Sequence, residues 1–501
     1  MHTAMKPYWI EATGEKKIKT DIAIIGSGAG GAMVAMTLAE AGFSVVLLEK
    51  GFHHDTYNAP KTLGESIGVL YEENGFRTTQ GSPPIPVAGG KGLGGSTLIN
   101  SAICFRTPKD SLERWNALSQ GAFSDTEDFY RIQEEMWSFM QVKETHDLLL
   151  SGNDNAHKKA TRKLGWQEGN IHRNTPGCGG CGRCNAVCSI SGKRSIDKAT
   201  LPRAAQAGAQ IYTGALVTSL SEKKIIGKLH NRTHEEIGAF EVYPQTIIIA
   251  AGSIGTPSLL LSSGFGVINT YIGKGLHIHP VINTWALLRE PIYKPGSTQG
   301  HYSDQFVEQR VLLEANPILP GAFYQAFPVF GAQTKDFMSK ASHMASTGGL
   351  VRDLTEGVVK APKNGAAQIS YSLGEADRTA IITAIHRGAE LWLDGADAHS
   401  IALPIFGAMP CTTMKEVYRI VTPEISLERI IGYSSHPQAS CRIGRALDHN
   451  GKLHGTSNIY VMDASSLPSN VGRNPQISIF TVTRILAERF VNQYGKNTRP
   501  L

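Results

Sequence analysis

The sequence predicts an α/β protein of two lobes: a Rossmann-like dinucleotide-binding lobe, and a second lobe of antiparallel sheet plus helix. Three observations predict it. A strand, a glycine turn, a helix and a second strand follow one another over residues 20–50. Further glycine-rich turns recur at 89–100 and 247–264. Between about 290 and 425 the character changes, with scattered prolines and strand-like runs alternating with helices. The chain has 501 residues, more than one hydrophobic core usually serves. The expected first lobe is discontinuous, 18–290 and 426–501, with a helical and cysteine-rich insert at about 110–195. Residues 291–425 form the expected cover lobe.

Each element has its own signal. Thr20–Ile25 (TDIAII) reads as a buried strand, GSGAGG follows at 26–31, and AMVAMTLAEAG reads as a helix stopped by Gly42. FSVVLLEK is the second strand, which ends at Glu49. This is a β-α-β unit of the dinucleotide-binding kind. Gly26 permits the tight turn, Gly28 lets a pyrophosphate approach the backbone, and Gly31 allows close helix–strand packing. Free N–H groups at the helix start attract phosphate, and Glu49 accepts a hydrogen bond from a ribose. GGKGLGGSTLIN, 89–100, packs enough glycine into one loop to bring backbone against a flat or anionic group. Residues 121–165 read as helical, Ala209–Ser219 and Glu241–Ala251 as strands. In IIIAAGSIGTPSLLLSSG, 247–264, a buried strand meets a glycine turn and a helix with Pro257 in its first turn. Arg378–Leu393 reads as a helix of the second lobe. The last motif, 458–490, ends a strand at Asp463 and starts a final helix, Gln476–Asn492, behind Pro475.

Composition excludes several classes. The chain is 41% apolar and 18% charged, and its net charge of +6 is spread thinly over the length. No polybasic run argues for nucleic acid or anionic lipid. The first 21 residues lack an apolar signal core or a twin arginine, and no apolar run approaches the length of a membrane span. The expectation is a cytoplasmic protein without a transmembrane segment.

The four glycine-rich and strand-end motifs, in this order, resemble the glucose–methanol–choline (GMC) flavin oxidoreductases. The likeness is to the bacterial cysteine-containing members similar to cholesterol oxidase and long-chain alcohol oxidase type enzymes. It covers nearly the whole chain and is weakest over 290–425. It implies a Rossmann-like FAD-binding lobe, a substrate lobe, and oxidation of an alcohol to an aldehyde or ketone. Gly26, Gly28, Gly31 and Glu49 would hold the adenosine diphosphate part of FAD. Gly94, Gly95, Ser96 and Asn100 would line the pyrophosphate and flavin, with Gly252 at the third glycine turn. Val217 resembles the valine whose backbone contacts adenine, and Asp463–Ala464 the pair beside the flavin. Some members attach FAD through a histidine after the second motif; Asn100–Ser101 stands there, which implies non-covalent FAD.

In GYSSHPQASCRIG, His436 matches the family's active-site histidine, and Asn474 of VGRNPQ matches the second catalytic position. Chemistry supports both roles. An alkoxide expels hydride far better than an alcohol, a neutral imidazole takes the hydroxyl proton near neutral pH, and flavin accepts hydride. Asn474 orients the substrate oxygen without titrating.

CGGCGRCNAVC, 178–188, holds four of the seven cysteines at the spacing of a ferredoxin run. Cys178, Cys181, Cys184 and Cys188 admit three readings: an iron–sulfur cluster, a zinc site, or reduced thiols packing a loop. A pure flavin and iron–sulfur electron carrier is the alternative of another class. The substrate is read first as a lipophilic alcohol, sterol-like or long-chain, from Tyr293, Phe323, Tyr324, Phe327 and Phe330. The second reading is a sugar, polyol or aminosugar hydroxyl. Oxygen or another acceptor would take the electrons.

Overall fold

The computed structural model describes residues 7–11, 13–54, 60, 62–188, 190–316, 327–328, 331–363 and 366–495. Its first layer is an eight-stranded sheet. Parallel strands run in the order Ile10–Glu11, Gln210–Thr213, Val45–Leu48, Lys16–Ile25 and Glu236–Ile249. Ile459–Val461 joins the last of these in parallel, and Lys224–His230 and Ala215–Ser221 add an antiparallel flap. The central strands carry Ile22–Ile25, Val45–Leu48 and Ile247–Ile249, all buried. A parallel sheet covered on both faces demands such unbroken apolar runs. The helix Ala29–Glu40 is buried through most of its length and packs against the final helix, Gln476–Tyr494. That is why a sequence of Ala, Met, Val and Leu with no polar face forms it.

The second layer is a seven-stranded antiparallel sheet. Its order is Ser400–Ala402, Val281–Leu287, Met344–Val351, Val311–Ala315, His301–Ser303 and Gly169–Asn170, with Gly432–Tyr433 beside Val281–Leu287. The helix Arg378–Glu390 lies on it, continued by a π turn over Leu391–Gly395. A Cβ on Gly349 would stand 2.6 Å from that of Ala384, so glycine sets how closely this helix approaches. The sheet takes strands from Val281–Leu287, Gly169–Asn170 and Gly432–Tyr433 as well as from 291–425. Short pairing segments of this kind carry too little periodicity to show in sequence.

Pro257 differs from expectation. It sits inside the helix Gly252–Ser262, not in its first turn. A proline there deprives the carbonyl four residues earlier of its partner. That carbonyl belongs to Ser253, and the Ser440 hydroxyl donates to it at 2.5 Å. The lost ladder bond is replaced from the His436 loop.

Candidate active site

A cavity of about 560 Å³ runs between the two sheets, and its walls come from residues as far apart as Ile25 and Ile479. At one end lies the first glycine turn. A Cβ on Gly26 would fall 2.5 Å from the Ala250 carbonyl oxygen, and one on Gly31 only 1.9 Å from that of Gly26. These glycines let strand and helix meet. Gly28 is different: a Cβ there meets nothing within 4 Å and would project into the cavity. Gly28 also caps the helix Ala29–Glu40 with no side-chain bond, so the helix N–H groups are left for a ligand. This open cradle fits the pyrophosphate of a dinucleotide.

Ten of the twelve expected cofactor positions border the cavity: Gly26, Gly28, Glu49, Gly95, Ser96, Asn100, Val217, Gly252, Asp463 and Ala464. Gly31 and Gly94 stand behind the wall. Gly94 N–H donates to Ser27 Oγ, tying the second glycine loop to the first. Glu49 is already busy. It accepts from Ser27 N–H, Ser27 Oγ–H and Gly51 N–H, at 3.0, 2.6 and 2.8 Å, so it shapes the loop at the edge of the cavity. Asp463 fastens the third turn. One carboxylate oxygen accepts from Gly252 N–H and Thr256 Oγ–H, the other from Ser465 N–H and Oγ–H. Burial pushes its carboxyl above the usual range, and the bonds from Ser465 and Thr256 oppose this.

His436 and Asn474 border the same cavity. His436 lies on a loop held by three separate segments. Gln438 pairs with His277 through both backbone bonds, Ser253 Oγ donates to the Pro437 carbonyl, and Val471 N–H donates to Gln438 Oε1. The ring is partly open, and what it opens onto is the cavity. Burial lowers its pKa to about 4, so the imidazole is neutral at pH 7. Asn474 is 7% exposed and precedes Pro475, the uncapped start of the final helix. Its Nδ2 reaches Glu314 Oε2 at 3.5 Å, and its Oδ1 has no partner among the described residues.

Sequence reasoning missed the opposite wall. Gln299, Glu314 and Asn316 line it, with Asn283 and Tyr433 completing a hydrogen-bonded web. Glu314 is fully buried, and its Oε1 is unpartnered among the described residues. Burial raises its carboxyl to about 7, against the opposing Asn474 bond and Arg473 charge. Nothing in the local sequence marks these positions, because strands from distant segments bring them together. Of the expected aromatic positions, the two that are described do not border the cavity. Tyr293 is 83% exposed, Phe327 packs on Trp285 and Phe337 behind it, and Phe323, Tyr324 and Phe330 lie outside the described residues.

The metal readings of the cysteine run gain no support among the described residues. Among the described residues no three His, Cys, Asp or Glu side chains converge on a point that could hold a metal ion. Instead the buried Arg173 guanidinium donates to Cys184 Sγ at 2.9 Å and stands 4.0 Å from Cys178 Sγ. Cys188 is buried and Cys181 exposed. Burial pushes the Cys184 thiol up, but Arg173 and Lys193 outweigh it and leave it below its ordinary value.

Fold and cavity together define a flavoprotein of the dinucleotide-binding class. A family model described as "FAD binding domain" matches residues 21–58, and two described as "GMC oxidoreductase" match 67–281 and 356–483. The chain belongs to the GMC oxidoreductases and is an FAD-dependent oxidoreductase. It is 28% identical to an uncharacterised GMC-type oxidoreductase of Mycobacterium tuberculosis, over 96% of this chain and 77% of that one. It is also 28% identical to the long-chain-alcohol oxidase FAO4B of Arabidopsis thaliana, over 96% and 69%. Among solved structures it resembles pyridoxine 4-oxidase from "Mesorbium loti" (TM-score 0.70, 17% identity, 96% and 100% covered) and a formate oxidase (0.71, 15%, 97% and 100%). These last two likenesses concern the fold. No described helix is long and apolar enough to cross a membrane.

Proposed function

We propose that the chain oxidises an alcohol, with His436 as the base and Asn474 as its partner on the substrate oxygen. The observation that carries this reading is their shared cavity. A neutral imidazole and an amide oxygen without a partner among the described residues face the space that the glycine cradle opens into. Bound FAD supplies a two-electron acceptor for the hydride. The protein's share is the proton. His436 takes it from the hydroxyl, which leaves an alkoxide poised to release hydride. Asn474 positions the oxygen without adding charge. The uncapped N-terminus of the final helix adds partial positive charge to that side of the cavity. Oxygen or another acceptor then removes the electrons.

Two substrate readings stand. The long-chain-alcohol oxidase relatives support a lipophilic alcohol. The web of Gln299, Glu314, Asn316, Asn283 and Tyr433 favours an alcohol with further hydrogen-bonding groups, such as a polyol or aminosugar. Anaerobic bleaching of bound flavin by a mixed alcohol panel separates them. The His436→Ala protein should keep its FAD and its reduction by dithionite. It should lose alcohol-driven bleaching by about 10²–10⁴-fold. Unchanged bleaching by alcohol in this variant would sink the reading.

A further inference from the structure

His279 lies directly behind His436. Its ring is completely buried, it does not border the cavity, and its Nδ1 stands 3.2 Å from His436 Nδ1. The two rings are tilted at 34° with centroids 5.2 Å apart. The backbone at His279 is left-handed, φ +52, a conformation that costs free energy in a non-glycine residue. The Asp353 carboxylate holds it there. It accepts from Ile278 N–H, His279 N–H, Tyr371 Oη–H and Asn470 Nδ2–H. The fold therefore maintains a strained position whose side chain makes one polar contact among the described residues, with His436.

Two nitrogens at 3.2 Å share one proton. If it sat on His279, the proton of neutral His436 would lie on Nε2, and the ring could only donate into the cavity. If it sits on His436 Nδ1, Nε2 is bare. We propose that His279 is a positioning residue for His436: its Nδ1 accepts from His436 Nδ1–H, which makes Nε2 the basic nitrogen and supports the imidazolium formed on proton uptake. The inference rests on the reading of His436 as base. In the proton step the substrate O–H bond breaks, the His436 Nε2–H bond forms, and the Nδ1–H proton stays on His436, donated to His279 Nδ1. A hydrogen bond from a charged ring is about twice as strong as a neutral one, so the contact strengthens as the proton arrives. Burial first, then the charges of His436, Arg473 and Arg352, disfavour a protonated His279, so the imidazolium formed on proton uptake lies on His436. In this tautomer the proton of His279 lies on Nε2, which is buried without a partner among the described residues. The opposite tautomer would leave that nitrogen a bare acceptor and make His436 a donor.

Two measurements decide between them. Two-bond ¹H–¹⁵N correlation spectra of the histidine-labelled holoenzyme, with His436 assigned by difference against His436→Asn, should show the Nδ1–H tautomer. An Nε2–H tautomer overturns the proposal. In rapid-mixing experiments His279→Ala should slow flavin reduction by alcohol about 10- to 100-fold, the range seen when a residue that orients a functional imidazole is removed. Substrate affinity should hold within about twofold. His279→Asn, whose Oδ1 can accept in place of Nδ1 and which tolerates positive φ, should recover most of the rate. Full activity in His279→Ala, or equal loss in both variants, would also overturn it; if His279→Ala does not fold, the spectrum decides. A normal reduction rate in His436→Asn would defeat the reading of His436 as base, while the spectrum would still report the pairing.

Discussion

At the scale of the residue, the site separates two titrating groups by environment. Burial lowers His436 to about 4 and raises Glu314 to about 7. The proposed base is therefore unprotonated across the neutral range, and an inflection near pH 7 in flavin reduction is expected from Glu314. Glu314→Gln should remove that inflection. Stability follows the same group. The folded value lies above the ordinary 4.5, so the folded state holds this proton where the unfolded chain has lost it. The resulting stabilisation is complete below about pH 4.5 and is lost as pH rises towards 7, by about 3 kcal/mol at most. Urea unfolding at pH 5 and pH 8 should show a fall that Glu314→Gln lacks; an equal fall in both proteins would refute the assignment. His436 was legible in the sequence because its His-Pro setting belongs to a motif. Glu314 and His279 were not, because a single residue reports its partner only after strands 100 or more positions apart have paired; His279 and His436 stand 157 apart.

At the scale of the element, legibility followed burial. The parallel strands read clearly because both faces are covered, so apolar residues run without interruption. Met344–Val351 (MASTGGLV) is buried along its whole length yet reads poorly, because Gly348, Gly349 and small polar residues are there to admit neighbours. The tight glycine joints carry two predictions. Gly31→Ala places a methyl where no atom fits, so it should lower the melting temperature and impair FAD retention, measured by flavin content after gel filtration. Asp463→Asn removes charge from four hydrogen bonds that tie a strand end to a helix start. It should destabilise by about 1–3 kcal/mol, read by chemical unfolding; a change within about 0.5 kcal/mol would show that the joint is held by packing alone.

At the scale of the whole molecule, the cofactor belongs among the stabilising terms. A ligand at 100 times its dissociation constant adds about 2.7 kcal/mol to a fold that binds it only when native. Stripping FAD should lower the melting temperature by several degrees, and adding it back should restore the value in a concentration-dependent way. An unchanged transition after verified removal would mean that the two sheets hold each other without it. The division into two lobes was visible in length and composition. A discontinuous first lobe was expected too, but the pairing of Gly169–Asn170 with His301–Ser303 was not, since so short a strand carries no periodicity.

The cavity wall draws on residues from Ile25 to Ile479, with Asn474 and Pro475 among its last contributors. Vectorial synthesis thus delivers the nucleotide cradle hundreds of codons before the opposite rim. A ribosome paused near codon 450 would display a β-α-β unit, yet no enclosed berth for the flavin. Full enclosure of the cofactor berth is therefore expected only once the stretch through codon 479 has cleared the exit tunnel.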